Sequence, residues 1–133
     1  DLRVKLTGGS YHEEESTDMA FGVASAMALR RASSEAKPAL LEPLMDLEVI
    51  TPDEYLGEVM SDLQSKRAKI VGVEANGDLQ KVKAHVPLSE MFGYSTSLRS
   101  ATQGRANFTM QFLEYDTVPA AKAEIIIKKI RGI

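Results

Sequence analysis

Residues 2–6 alternate in character, with Leu2, Val4 and Leu6 apolar and Arg3 and Lys5 charged between them. That period of two predicts a strand with one buried face. Gly8, Gly9 and Ser10 end it, and the polar stretch through Ser16 reads as a loop. From about residue 17 to residue 36 the period lengthens. Met19, Val23 and Met27 recur every four residues, as do Phe21, Ser25 and Leu29, which predicts a helix. Ser16 or Thr17 is placed to cap it, and Asp18 suits the positive end of its dipole. Ala20, Ala24 and Ala28 would let that helix approach a sheet closely, and Pro38 stops it.

A different order begins after Leu41, Glu42 and Pro43, which read as a boundary. Met45, Leu47 and Val49 alternate with Asp46 and Glu48, predicting a strand over 45–51. Thr51, Pro52, Asp53 and Glu54 then form a helix start, with a threonine cap, proline at the first helical position and glutamate completing a capping box. Tyr55, Leu56, Val59, Met60 and Leu63 supply its apolar stripe. Residues 68–74 and 79–86 read as strands joined through Asn76 and Gly77, a specific hairpin signal. Pro87 opens a second helical stretch, 88–101, broken at Gly93, and 105–115 is again an alternating strand. Pro119 begins a last helix ending near Arg131.

The order from residue 44 is therefore strand, helix, strand, strand, helix, strand. This α+β pattern predicts a ferredoxin-like βαββαβ sandwich over 44–116, with two helices on one sheet face and a separate helix in 117–133. Residues 1–43 are expected to be an incomplete domain, because one strand and one helix cannot close a sheet.

Composition narrows the function classes. The chain has 133 residues, 44% hydrophobic and 26% charged, as in ordinary globular proteins. It has no cysteine, so disulfides and thiolate metal sites are excluded. His12 and His85 are its two histidines, far apart and without metal-ligand spacing. No stretch reads as a membrane span or a signal peptide. A net charge of −3 argues against coating nucleic acid non-specifically. Charge is uneven, however. Glu13, Glu14, Glu15 and Asp18 cluster, and so do Lys66, Arg67, Lys69, Lys81 and Lys83. The basic group suits either a solvated surface or local contact with phosphates.

No phosphate-binding GxxxxGK[ST] loop occurs, so the chain itself carries no GTP site of that kind and nothing in it calls for a cofactor. No Ser/His/Asp grouping stands out, and Asp53 and Glu54 are accounted for as helix-start residues. The strands expected at the centre of the sheet, 45–51 and 79–86, contain no aromatic residue on which a base could stack. Asp46 and Glu48 are instead expected to meet Lys81 or Lys83 across neighbouring strands, with His85 structural. His12, between Tyr11 and three glutamates, has no apolar pattern to bury it. An exposed histidine beside an aromatic suits RNA contact, and equally is an ordinary solvated loop residue.

The stretches HVPLSEMFGYSTSLRSATQGR at 85–105 and LEPLMDLEVITPDEYLG at 41–57 closely resemble the last domain of the elongation factor G family. Gly9 to Glu13, Met19 to Phe21 and Ala36 to Pro38 resemble the end of that family's fourth domain. Ala68 and Ala106 stand where the family usually has glycine, and Ala75-Asn76-Gly77 replaces a commoner Pro-Arg-Gly, removing one candidate phosphate contact.

The resemblance covers essentially the whole chain. It implies that 1–43 is a partial, S5-like βα segment of domain IV and that 44–116 is domain V. The parent would be a cytoplasmic five-domain GTPase, using GTP and Mg outside this chain. It would drive tRNA and mRNA through the ribosome, with rRNA of the decoding region and the stalk base as partners, together with its own other domains, and no membrane. By motif, His12 matches the family's loop-tip histidine, the diphthamide position of the eukaryotic relative. Ser10, Tyr11, His12 and Glu13 thus become the candidate rRNA- and tRNA-contacting tip. Lys66, Arg67 and Lys69 are the candidate basic contacts to the ribosome. A ribosome-recycling or ribosome-protection paralogue shares this architecture. An amino-acid-sensing regulatory module shares only the ferredoxin-like order.

Overall fold

The computed structural model describes residues 1–133, which divide into two compact units, Asp1–Pro38 and Ala39–Ile133. The first unit contains one regular element, helix α1 (Asp18–Glu35). Thr17, not Ser16, is its cap: the Thr17 hydroxyl accepts from the Ala20 N–H at 3.1 Å. No α1 residue is buried, and Met19, Val23 and Met27 are all exposed. The strand expected over 2–6 does not form; these residues have no sheet partner, and Leu2, Val4 and Leu6 lie exposed. An alternating sequence specifies a face, but a strand also needs a neighbour for its backbone donors and acceptors.

In the second unit, β1 (Leu41–Pro52) leads through a 3₁₀ turn (Asp53–Tyr55) into α2 (Leu56–Ser65). β2 (Lys69–Asn76) and β3 (Leu79–Pro87) form a hairpin, and a second 3₁₀ turn (Leu88–Glu90) precedes α3 (Tyr94–Ala101). β4 (Asn107–Thr117) and α4 (Ala120–Arg131) complete the chain. The sheet order is β2-β3-β1-β4 with every neighbouring pair antiparallel. This is the ferredoxin-like sandwich, and the two strands expected to be central, β1 and β3, pair from Leu44↔Pro87 to Pro52↔Leu79.

The core follows the alternation. Leu47 and Val49 of β1 and Val82, Ala84 and Val86 of β3 are fully buried. They pack with Val59 and Leu63 of α2 and with Tyr94 and Leu98 of α3. Phe108 and Met110 of β4 close the side of this cluster, the Phe108 ring edge-on to Tyr94 at 5.0 Å.

Several local expectations are corrected. β1 begins at Leu41, so Leu41, Glu42 and Pro43 belong to the sheet, paired with Thr117, Asp116 and Tyr115. Thr51 does not cap α2: it is fully buried at the end of β1, and its hydroxyl donates to the Pro52 carbonyl at 3.3 Å. The 3₁₀ turn that follows has no side-chain cap, so the capping box is absent. In the hairpin the two turn residues are Gly77 and Asp78, since Asn76 still pairs with Leu79. Gly77 takes the positive φ (64°) that the first position of such a turn favours. Gly93, φ 78°, turns the chain from the second 3₁₀ segment into α3, which is why that helical stretch is broken there.

Thr102 pins α3 to β4. Fully buried, its hydroxyl donates to the Leu98 carbonyl (2.7 Å) and accepts from the Ala106 N–H (3.2 Å). Thr102→Val keeps the shape and leaves the Ala106 donor unsatisfied, an expected loss of about 2 kcal/mol in denaturant unfolding. A variant as stable as the wild type would show that the hydroxyl contributes nothing net.

Candidate functional site

In the first unit the loop over 10–16 is closed by its own backbone. The His12 N–H donates to Ser16 Oγ at 2.8 Å, and the Ser16 N–H donates back to the His12 carbonyl at 2.9 Å. Glu13, Glu14 and Glu15 form the turn between them, and the Thr17 N–H donates to the Glu15 carbonyl at 3.1 Å. The Tyr11 ring lies parallel to that of Phe21, centroids 6.5 Å apart and planes 9° apart. This stack ties the loop to the first turns of α1. Ser10, Tyr11, His12 and Glu13 are all exposed, and no ion pair involves Glu13, Glu14 or Glu15. The result is a pinned backbone presenting a free imidazole beside free carboxylates. It has no nucleophile–base pair.

In the second unit the three basic candidates are close in sequence but unequal. Lys69 is exposed at the start of β2, opposite His85. Lys66 lies partly covered, its ammonium 3.9 Å from Asp62 and 5.9 Å from the centre of the Tyr94 ring. Arg67 points its guanidinium inward. Nη1 and Nη2 donate to the two Glu42 oxygens at 2.8 and 3.1 Å, and Nε donates to Glu90 Oε1 at 3.0 Å. The same Glu90 oxygen accepts from Lys122 of α4. Glu42 and Glu90 keep only 11% and 23% of their side chains exposed, so this hub is largely withdrawn from solvent.

The backbone explains why Arg67 can reach both acids. After α2, the Ala68 N–H donates to the Leu63 carbonyl (3.1 Å) and the Arg67 N–H to that of Gln64 (3.3 Å), a Schellman closure. Its left-handed position, usually glycine, is held by Arg67 at φ 58°. The hub was not legible in the sequence, because Glu42 and Glu90 lie 25 and 23 positions from Arg67 and no local pattern marks them.

Lys122 and Arg67 together hold the Glu90 carboxyl below its ordinary value of 4.5. A carboxyl depressed by folding adds stability above its unfolded value and loses it as pH falls through the folded one. Glu90→Gln should therefore be less stable than wild type near neutral pH, with the gap closing in acid. Unfolding midpoints from about pH 7 down to about pH 3 measure this, and a constant gap would refute it.

The open sheet face is polar. Glu48 meets Lys81 at 3.2 Å, as the alternation predicts, whereas Lys83 turns to Glu74 of β2 at 3.3 Å. His85 lies 3.9 Å from Asp46, opposite it in the register. Such exposed pairs each contribute about 0.2–1 kcal/mol. No group of three or more His, Cys, Asp or Glu side chains is arranged to hold a metal ion. No helix is long and apolar enough to cross a membrane.

Comparison with known proteins agrees in both units. The family model described as "Elongation factor G, domain IV" matches residues 1–37, and "Elongation factor G C-terminus" matches residues 39–126. Elongation factor G 2 of Desulfotalea psychrophila is 75% identical over all 133 residues, which span 19% of that relative's length. A crystal structure of a Thermus thermophilus protein superposes with a TM-score of 0.76 at 40% identity, over 95% of this chain and 19% of that one. The chain belongs to the elongation factor G family.

Proposed function

We propose that this chain is the ribosome-binding C-terminal part of a cytoplasmic translational GTPase that moves tRNA and mRNA during elongation. Residues 1–38 would be the end of domain IV and the sandwich from Ala39 to Thr117 domain V, with α4 a C-terminal helix. The observation that carries the reading is that two consecutive models of one family match nearly the whole chain in the family's own order. The site chemistry supports it. A translocation domain needs a stiff, exposed polar tip, not a catalytic group, and the 10–16 loop has that form. Its acidic neighbours would repel phosphates, so contact there would be local and oriented rather than a broad electrostatic grip. Tyr11 and His12 would meet tRNA or rRNA of the decoding region. Lys69, with Lys66 beside it, would face rRNA near the stalk base, while Arg67 supports the surface from within. GTP and Mg would bind elsewhere in the parent, where hydrolysis biases two ribosome states of different affinity.

The decisive experiment is single-round translocation by the full-length protein with GTP. Movement of the tRNA–mRNA complex at a rate that rises with factor concentration is expected. Absence of movement would overturn the reading, and splitting of post-termination ribosomes without movement would assign the recycling role instead.

A further inference from the structure

We propose that α4 is a hinged arm whose direction is set by one ionic latch, the Glu90 carboxylate shared between Arg67 of the sandwich and Lys122 of the arm. No α4 residue is buried; Ala123 is half-buried and Ile126 and Ile127 keep 37% and 38% of their surface exposed, so apolar packing holds the helix only weakly. The anchor before it is Val118, 4% exposed, whose N–H donates to the Leu40 carbonyl at 2.9 Å. Beyond that pivot Pro119 is extended (φ −53°, ψ 139°) and has no N–H to tie it down. The next specific attachment is the ammonium of Lys122 on Glu90.

The arm itself is held together as a helix. The Ile133 N–H donates to the Lys128 carbonyl at 3.0 Å, and Glu124 pairs with Lys128 at 2.8 Å. It can therefore swing as a body.

Sharing the acceptor is what makes this a latch. When a buried pair separates, an unpaired charge is left behind, and that cost resists opening. Here Glu90 keeps Arg67 at 3.0 Å after Lys122 leaves, and Arg67 keeps both Glu42 oxygens. Lys122, with 46% of its side chain exposed, returns to water. Opening thus orphans no charge and brings no buried residue of α4 into water, and salt favours it by screening.

The chain has no cysteine, so spin labels can be placed at Lys129→Cys on α4 and Asp78→Cys on the β2–β3 hairpin. Distance distributions between them, in the 133-residue chain at low salt, read the arm's direction. Wild type should give one narrow population. Lys122→Ala and Glu90→Gln should each broaden it at least about twofold, and Lys122→Arg should keep it narrow. The unfolding midpoint of Lys122→Ala should fall only slightly, far less than that of Arg67→Ala, because Glu90 keeps its Arg67 contact, and this separates a freed arm from a damaged sandwich. A width unchanged in both disruptive variants, or a wild type already as broad, would overturn the latch.

Discussion

Replacing Arg67 by alanine is expected to lower the stability of the 39–133 unit by about 3 kcal/mol, since breaking a withdrawn pair strands its partners. For a unit of this size that is a fall of about 15 °C in the thermal midpoint. The reason lies in Glu42. Its carboxylate, 11% exposed, receives both terminal nitrogens of Arg67, and its remaining side-chain contact, Ser89 Oγ at 3.4 Å, is long. Backbone and side chain can be separated here. Arg67 sits at φ 58°, where a Cβ costs about 1 kcal/mol relative to glycine. Arg67→Gly should therefore be about 1 kcal/mol more stable than Arg67→Ala, yet still clearly less stable than wild type. Arg67→Lys keeps the charge but not the planar fork and should fall between alanine and wild type. Were alanine to cost less than about 0.5 kcal/mol, the hub would be an incidental surface arrangement.

The second large effect is expected at His12 in the full-length protein. His12→Ala should slow single-turnover translocation about tenfold, the rate equivalent of losing about 1.4 kcal/mol of contact in the moving state. GTP hydrolysis should be unchanged, because nothing in the 10–16 loop is part of a nucleotide site. Stability should change by less than about 0.5 kcal/mol, since the loop is closed through the His12 backbone, not its imidazole. The control is Ser16→Ala, which removes the acceptor of the His12 N–H and loosens the tip without touching the ring. A smaller slowing there, with His12→Ala strongly impaired, identifies the imidazole as the contacting group. Wild-type translocation by His12→Ala would remove His12 from the interface.

Much of the second unit follows from the sequence by itself. Alternation assigned Met45, Leu47 and Val49 to one sheet face because successive strand residues point to opposite sides, and Leu47 and Val49 are fully buried there. The same alternation placed Glu48 within reach of Lys81. Thr17 and Pro38 bracket α1 because capping and chain-breaking act within a few residues. The tip loop was legible for the same reason: Gly8, Gly9 and a polar run exclude regular structure locally.

What only the tertiary structure decided depends on neighbours that local pattern does not encode. Residues 2–6 have the rhythm of a strand but no partner here, and rhythm supplies no hydrogen bonds. Thr51 and Pro52 read as a helix start, yet pairing with Gln80 and Leu79 keeps them in β1. Two ladder pairings and burial of the threonine outweigh a single cap. Arg67 reads as one more surface cation beside Lys66 and Lys69. It is turned inward because α2 ends in a left-handed residue at that position, aiming the guanidinium at Glu42 and Glu90, which the chain brings in from 25 residues before and 23 after.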